Sequence, residues 1–314
     1  MHETKTRSNR RMATISTLIS LLLVIGTAPG AMGQTSDEER TTRFELRLQG
    51  YHFDNFFQAG DSALEEDIQA GGAELRLATR LSRVHPVDAY VRGNYLVYDD
   101  DRLDRTWGGR VGLQQNGRVH SFDAHVDRQL DRPTFDVGDQ FARADIATFS
   151  GSYSNRFHPS WQFGVNGLHS DESFELAPEK DSDFTAGGAT LRYRGFGSAF
   201  SPEIGFLAGD RNVVDPNEDY RQNDYVLQIR SAPVRPLYLS LRYRHRERDY
   251  RIDDPDARNF GRDDERRQWA LTAELATGSV VRWTLYATHE DVDSTRPSRD
   301  FDTSLILLGI TFGW

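Results

Sequence analysis

Arginine recurs at regular spacing along this chain, and its chemistry is that of anion recognition: a planar guanidinium that stays charged and donates hydrogen bonds in a fixed fork. In Pro236 to Arg246, Arg242, Arg244 and Arg246 stand two residues apart and alternate with Leu237, Leu239, Leu241 and Tyr243. In Glu74 to Leu81 the charged residues Glu74, Arg76 and Arg80 alternate with Leu75, Leu77 and Leu81. A second group pairs histidine with an acid two residues on, in His52-Phe53-Asp54, His169-Ser170-Asp171 and His289-Glu290-Asp291. Two such pairs converging on one spot would activate water. The spacing is common by chance, however, and catalysis is not the expected activity. A third group is acidic, Tyr98-Asp99-Asp100-Asp101 and Asp263-Asp264-Glu265. Its oxygens suit Ca²⁺ or Mg²⁺, but runs of this kind are more often simply solvated, so no metal site is expected. His85 and His158 precede proline, where a turn role is the plain explanation. There is no cysteine, which excludes thiol nucleophiles, disulfides and Cys-ligated metals.

The spacing that repeats is two, the period of a β-strand. From residue 43 onward, period-two segments are separated by polar breaks that alternate in length. The short breaks are 82–86, 115–118, 156–160, 195–201, 231–235 and 277–279, each with Gly, Pro or Asn-Gly to close a tight turn. The long ones, 54–67, 99–104, 128–140, 171–183, 210–223, 247–265 and 290–300, are mostly rich in Asp and Glu. Short turns on one side and long loops on the other are the rhythm of an antiparallel up-and-down transmembrane β-barrel. About 14 strands are expected, within a range of about 12 to 16, with periplasmic turns and acidic extracellular loops. Segments His120 to Val126 and Phe141 to Tyr153 alternate less cleanly. Residues 1–33 read as an export signal: Lys5, Arg7, Arg10 and Arg11, then the apolar Ile15 to Ile25, then Ala31-Met32-Gly33 as a cleavage site. Residues 34–42 read as a periplasmic lead-in and 43–314 as the barrel.

Composition agrees. The formal charge of -10 argues against nucleic acid as a partner, because phosphate binding needs a basic face. A mean hydropathy of -0.64 excludes a helical membrane protein but not a barrel, in which only every second strand residue meets lipid. A charge at the bilayer midplane costs about 2 to 4 kcal/mol, so the charged face must enclose the lumen. On that reading Arg43, Arg47, Arg76, Arg80, Arg92, Arg110, Arg192, Arg194, Arg230, Arg242, Arg244 and Arg282 point inward, against fewer acids such as Glu45, Glu74, Asp88, Asp123, Glu203 and Glu274. Two consequences stand open: a wall that gathers small anionic or polar solutes, or arginines paired with acids across strands in a rigid, closed interior. Trp107, Trp161, Trp269, Tyr225, Tyr243, Phe200 and Trp314 fall near expected strand ends, where interface girdles belong.

The final stretch alternates most clearly, with Ile306, Leu308, Ile310, Phe312 and Trp314 on one face. This pattern, ending Phe312-Gly313-Trp314, resembles the terminal assembly signal of bacterial outer-membrane β-barrels. With Tyr243-Arg244-His245-Arg246-Glu247-Arg248-Asp249-Tyr250 and Ser298-Arg299-Asp300-Phe301, it makes the chain similar to the broad group of outer-membrane porins. The resemblance implies a place in the outer membrane among lipids and lipopolysaccharide, recognition of Ile310, Phe312 and Trp314 by the barrel assembly machinery, solute passage, and no cofactor. A structural or export-assisting barrel with a closed lumen is the alternative, and a hydrolase at the rim is a more distant one.

Overall fold

In the computed structural model, the described residues are 42–314 except 55–66, 83–85, 101–102, 104, 138–139, 198, 258 and 297–298. The expected signal segment, most of the lead-in, His85 and Asp101 therefore lie outside the described residues. Fourteen antiparallel strands close into one barrel in sequence order, the last pairing back onto the first. They are β1 (Thr42–Asp54), β2 (Ile68–Arg80), β3 (Val87–Tyr98), β4 (Arg105–Asn116), β5 (His120–Val137), β6 (Gln140–His158) and β7 (Trp161–Phe174). The second half comprises β8 (Ser182–Tyr193), β9 (Ser201–Val213), β10 (Tyr220–Val234), β11 (Leu237–Tyr250), β12 (Asp263–Thr277), β13 (Val281–Ser294) and β14 (Phe301–Gly313). Among the described residues no helix is long and apolar enough to cross a membrane. The 13 residues of β1, at ~3.3 Å each and tilted by ~40°, cover roughly 33 Å, more than the ~25 Å apolar band of a barrel.

Side chains that touch across an intervening strand identify the concave face, because only there do they converge. Arg76 on β2 reaches Gln114 on β4 at 2.9 Å, and Arg211 on β9 reaches Glu172 on β7 at 2.6 Å. The opposite face carries the apolar half of each alternation. Leu75, Val111, Phe149 and Leu308 are 46%, 60%, 59% and 63% exposed, as expected of a surface that lipid covers. Aromatic pairs band this outer face: Tyr95 with Trp107 at 4.2 Å, Tyr243 with Trp269 at 4.7 Å, Trp161 with Tyr193 at 4.9 Å and Phe44 with Trp314 at 5.2 Å.

Several expected boundaries move. Residues 128–140, expected as a long loop, are mostly strand: β5 and β6 continue together as a two-stranded ribbon past their neighbours. A strand that runs beyond the bilayer has water on both sides, so the alternation that marks it in a sequence disappears there. For the same reason β9, β11, β12 and β13 run on into the acidic breaks, and Tyr243 and Trp269 lie mid-strand instead of near an end. Their outward neighbours above, His245, Glu247 and Glu265, are polar, so the girdle marks the edge of the lipid and not the end of the strand. The turn expected at 231–235 lies at Arg235 and Pro236, since β10 continues to Val234 through an irregularity after Ser231.

Candidate functional site

The interior is the site, and the register builds it. Arg47 pairs with Glu74, Arg76 with Arg92, Arg92 with Arg110, Arg80 with Asp88, and Gln228 with Arg242. Arg244 pairs with Gln268, Glu274 with Tyr238, Arg192 with Glu203, Ser201 with Arg230, and Arg282 with Thr311. Following these pairs round the ring puts Arg47, Arg76, Arg80, Arg92, Arg110, Arg192, Arg230, Arg242, Arg244, Arg282, Glu74 and Glu274 on the concave face. Arg194 lies just past β8, where its Nη1 donates to Gln162 Oε1 at 3.1 Å. Burial, then the nearby charges of Arg156 and Arg192, lower its guanidinium pKa. Ile310, Phe312 and Trp314 face outward on β14, opposite Leu48, Leu46 and Phe44.

Most inward arginines have an acid, and several acids serve two. Asp88 takes Arg43 and, at 3.4 Å, Arg80. Glu203 takes Arg192 at 2.6 Å and Arg230 at 3.2 Å, while Asp224 takes Arg244 and, at 2.8 Å, Arg246. Arg92 pairs with Glu74, Arg76 with Glu45 at 3.2 Å, Arg110 with Asp127 at 2.9 Å and Arg266 with Glu290 at 3.2 Å. Arg282 approaches Glu274 only to 3.9 Å. Arg47 donates to the Thr311 hydroxyl at 3.1 Å, and among the described residues Arg47, Arg194 and Arg242 form no ion pair. Shared acids together with unpaired arginines leave these walls positive.

The surplus of arginine is concentrated in two sectors. Arginines of β1–β4 face those of β9–β12 roughly half a turn round the ring. Between them β5–β7 present Ser121, Thr148, Ser150, Ser152, Ser154 and Asn166 beside the acids Asp123, Asp127 and Glu172, and β13–β14 present Thr284, Tyr286, Thr288 and Thr303 beside Arg282 and Glu290. Arg246 continues the inward face expected from Arg242 and Arg244, whereas Arg211, Arg248, Arg262 and Arg266 are not legible as lumen residues because they fall in or against the acidic breaks. Their ring stacking belongs to the long-connection end: Arg248 and Arg211 lie 4.6 Å and 5.7 Å from the Tyr220 ring, and Arg262 lies 4.4 Å from that of Tyr250. At this end two small apolar clusters also form inside the barrel, Leu103 with Ile68, Ala70 and Tyr98, and Ala177 with Ala144 and Phe174.

The other candidates do not assemble. His52, His169 and His289 sit on the outer faces of β1, β7 and β13. His169 contacts Thr185 and Asp171, and His289 contacts Ser304, so the three histidines form no common centre. Asp264 points inward and is occupied by Arg262 at 2.6 Å and Ser294 at 2.7 Å, while its neighbours Asp263 and Glu265 face away. Among the described residues no group of three or more potential ligands could hold a metal ion.

No protein-family model matches this chain, and no curated protein sequence does. Solved structures do. The TodX monoaromatic hydrocarbon channel, as its deltaS2 mutant, is similar with a TM-score of 0.51 at 11% identity, over 87% of this chain and 90% of that one. In-vitro folded OmpT, an outer membrane protein of Vibrio cholerae, gives 0.49 at 9% identity, over 90% and 100%. The anion-selective porin from Comamonas acidovorans gives 0.45 at 9% identity, over 87% and 98%. The first likeness bears on fold alone, and with the closed ring and its apolar exterior it identifies the fold as that of a bacterial outer-membrane β-barrel.

Proposed function

We propose that this barrel is an outer-membrane channel that passes small polar or anionic solutes along an arginine-lined lumen. The observation that carries the reading is that inward guanidiniums away from the ends remain wet: the Arg92, Arg110 and Arg76 side chains are 33%, 31% and 25% exposed although they point into the barrel. Only solvent inside the ring reaches them. A wetted wall with surplus positive charge raises the local anion concentration and lowers that of cations. The test is recording in a planar bilayer under a salt gradient. Stepwise conductance with a reversal potential on the anion side is expected, and a cation-side reversal potential overturns the reading.

A closed structural or export-assisting barrel is favoured by one observation, the apolar clusters around Leu103 and Ala177 inside the long-connection end. A folded barrel that never conducts would select it. Contact of the outer face with membrane lipids and lipopolysaccharide, and recognition of Ile310, Phe312 and Trp314 by the barrel assembly machinery, complete the proposal.

A further inference from the structure

A different constellation lies on the hydroxyl-rich sector. The imidazole of His125 on β5 is held between a carboxylate and a hydroxyl. Its Nδ1 is 2.5 Å from Asp123 Oδ1, and Ser150 Oγ on β6 is 2.8 Å from its Nε2 and 3.5 Å from its Nδ1. Register brings them together, because His125 lies directly opposite Ser150, and Asp123, two residues back, shares its face. From β3, the Tyr90 hydroxyl donates to Asp123 Oδ2 at 3.1 Å. It crosses β4 where Gly112 leaves room: a Cβ there would stand 2.7 Å from both the Tyr90 ring and the His125 side chain. Solvent reaches the group, with the His125 and Asp123 side chains 15% and 34% exposed.

We propose that Ser150, His125 and Asp123 form a hydrolytic site inside the barrel that cleaves small carboxylic esters arriving through the lumen. Ser150 Oγ stands over the ring face near Nε2, and a turn of the imidazole sets the Nε2 lone pair on Oγ, which then attacks the ester carbonyl carbon as its proton passes to Nε2 and the carbonyl π pair moves onto oxygen. The tetrahedral adduct collapses, the alkoxide leaves, and it takes that proton from Nε2 to depart as the alcohol. Water then attacks the acyl-Ser150 carbonyl and gives a proton to Nε2; the acyl–Oγ bond breaks, Ser150 recovers the proton, and the acid is released. Ser150 and His125 are the catalytic residues. Asp123 is a positioning residue that selects the tautomer with hydrogen on Nδ1, and Tyr90 positions Asp123. Asn166, on the same face but opposite Ser152 and not Ser150, is the candidate amide donor for the developing oxyanion. Arg76 and Arg110 on the adjoining wall favour esters that also carry an anionic group.

The experiment treats the full-length barrel, folded in detergent and verified by its gel shift on boiling, with a fluorophosphonate probe, and maps the adduct by mass spectrometry. The readout does not depend on conductance, so it stands or falls separately from the channel reading. The expected result is an adduct at Ser150 that is absent in Ser150→Ala and forms about a thousandfold more slowly in His125→Ala. In Asp123→Asn the maximal labelling rate should drop with probe affinity unchanged, a split that a purely structural role would not produce. If His125→Ala does not fold, His125→Gln, which keeps an amide facing Asp123, provides the same comparison. A folded barrel unlabelled at Ser150, or an adduct that forms equally fast without His125, overturns the proposal.

Discussion

Asp224 is 1% exposed and carries two guanidiniums, those of Arg244 and Arg246. Removing it leaves the Arg246 guanidinium, 18% exposed, without its acid and the 29%-exposed Arg244 partly hydrated, a cost of about 1 to 3 kcal/mol. Asp224→Ala should therefore lower the unfolding free energy of the folded barrel, read from denaturant titration, by an amount in that range, and adding Arg244→Met should recover part of the loss. Arg242 is the contrasting case, with no ion pair among the described residues. Arg242→Ala should move the reversal potential toward zero and leave stability unchanged, whereas Arg92→Ala, which strands Glu74, should also cost about 1 to 3 kcal/mol in the same unfolding assay. At this scale the sequence was informative where arginine alternates with leucine, as at Arg76, Arg80, Arg242 and Arg244. It was silent on Asp224 and Arg266, whose partners are set by a register that no single strand encodes, and on Ser150, because its segment alternates poorly.

Strands were easiest to recognise where they meet lipid on one side and water on the other. The β5–β6 ribbon and the outer ends of β11–β13 lack that contrast, which is why strand number and order were readable and strand length was not. Glycines show the same dependence on facing. A Cβ on Gly167, on the lipid side, would meet nothing nearer than the Ala186 carbonyl oxygen at 3.7 Å, while one on Gly188, on the lumen side, would stand 2.3 Å from that of Phe206. Gly167→Leu should therefore change stability little, within about 0.5 kcal/mol as read from the thermal midpoint of the gel-shift transition. Gly188→Ala, which forces backbone apart, should destabilise by about 2 kcal/mol or more on the same measurement.

At the scale of the molecule, charge distribution and the apolar packing at one end act together. The two arginine sectors face each other across the lumen, and Leu103, 2% exposed, sits inside the end away from Arg43 and Arg282. Leu103→Ala should cost about 2 to 3 kcal/mol and, by clearing that end, should raise single-channel conductance without changing the sign of selectivity. The ring itself is shut by one junction: Phe44 and Trp314 exchange both backbone hydrogen bonds, at 2.9 Å and 3.0 Å, while every other strand pairs with its neighbour in the chain. That junction joins the most distant parts of the polypeptide, so of all the pairings in the ring it carries the largest loop-closure cost and should be the slowest to form. Before it does, the molecule is an open sheet with two raw edges, prone to pair with other chains. Loss of β14 should accordingly give aggregates and not a smaller pore.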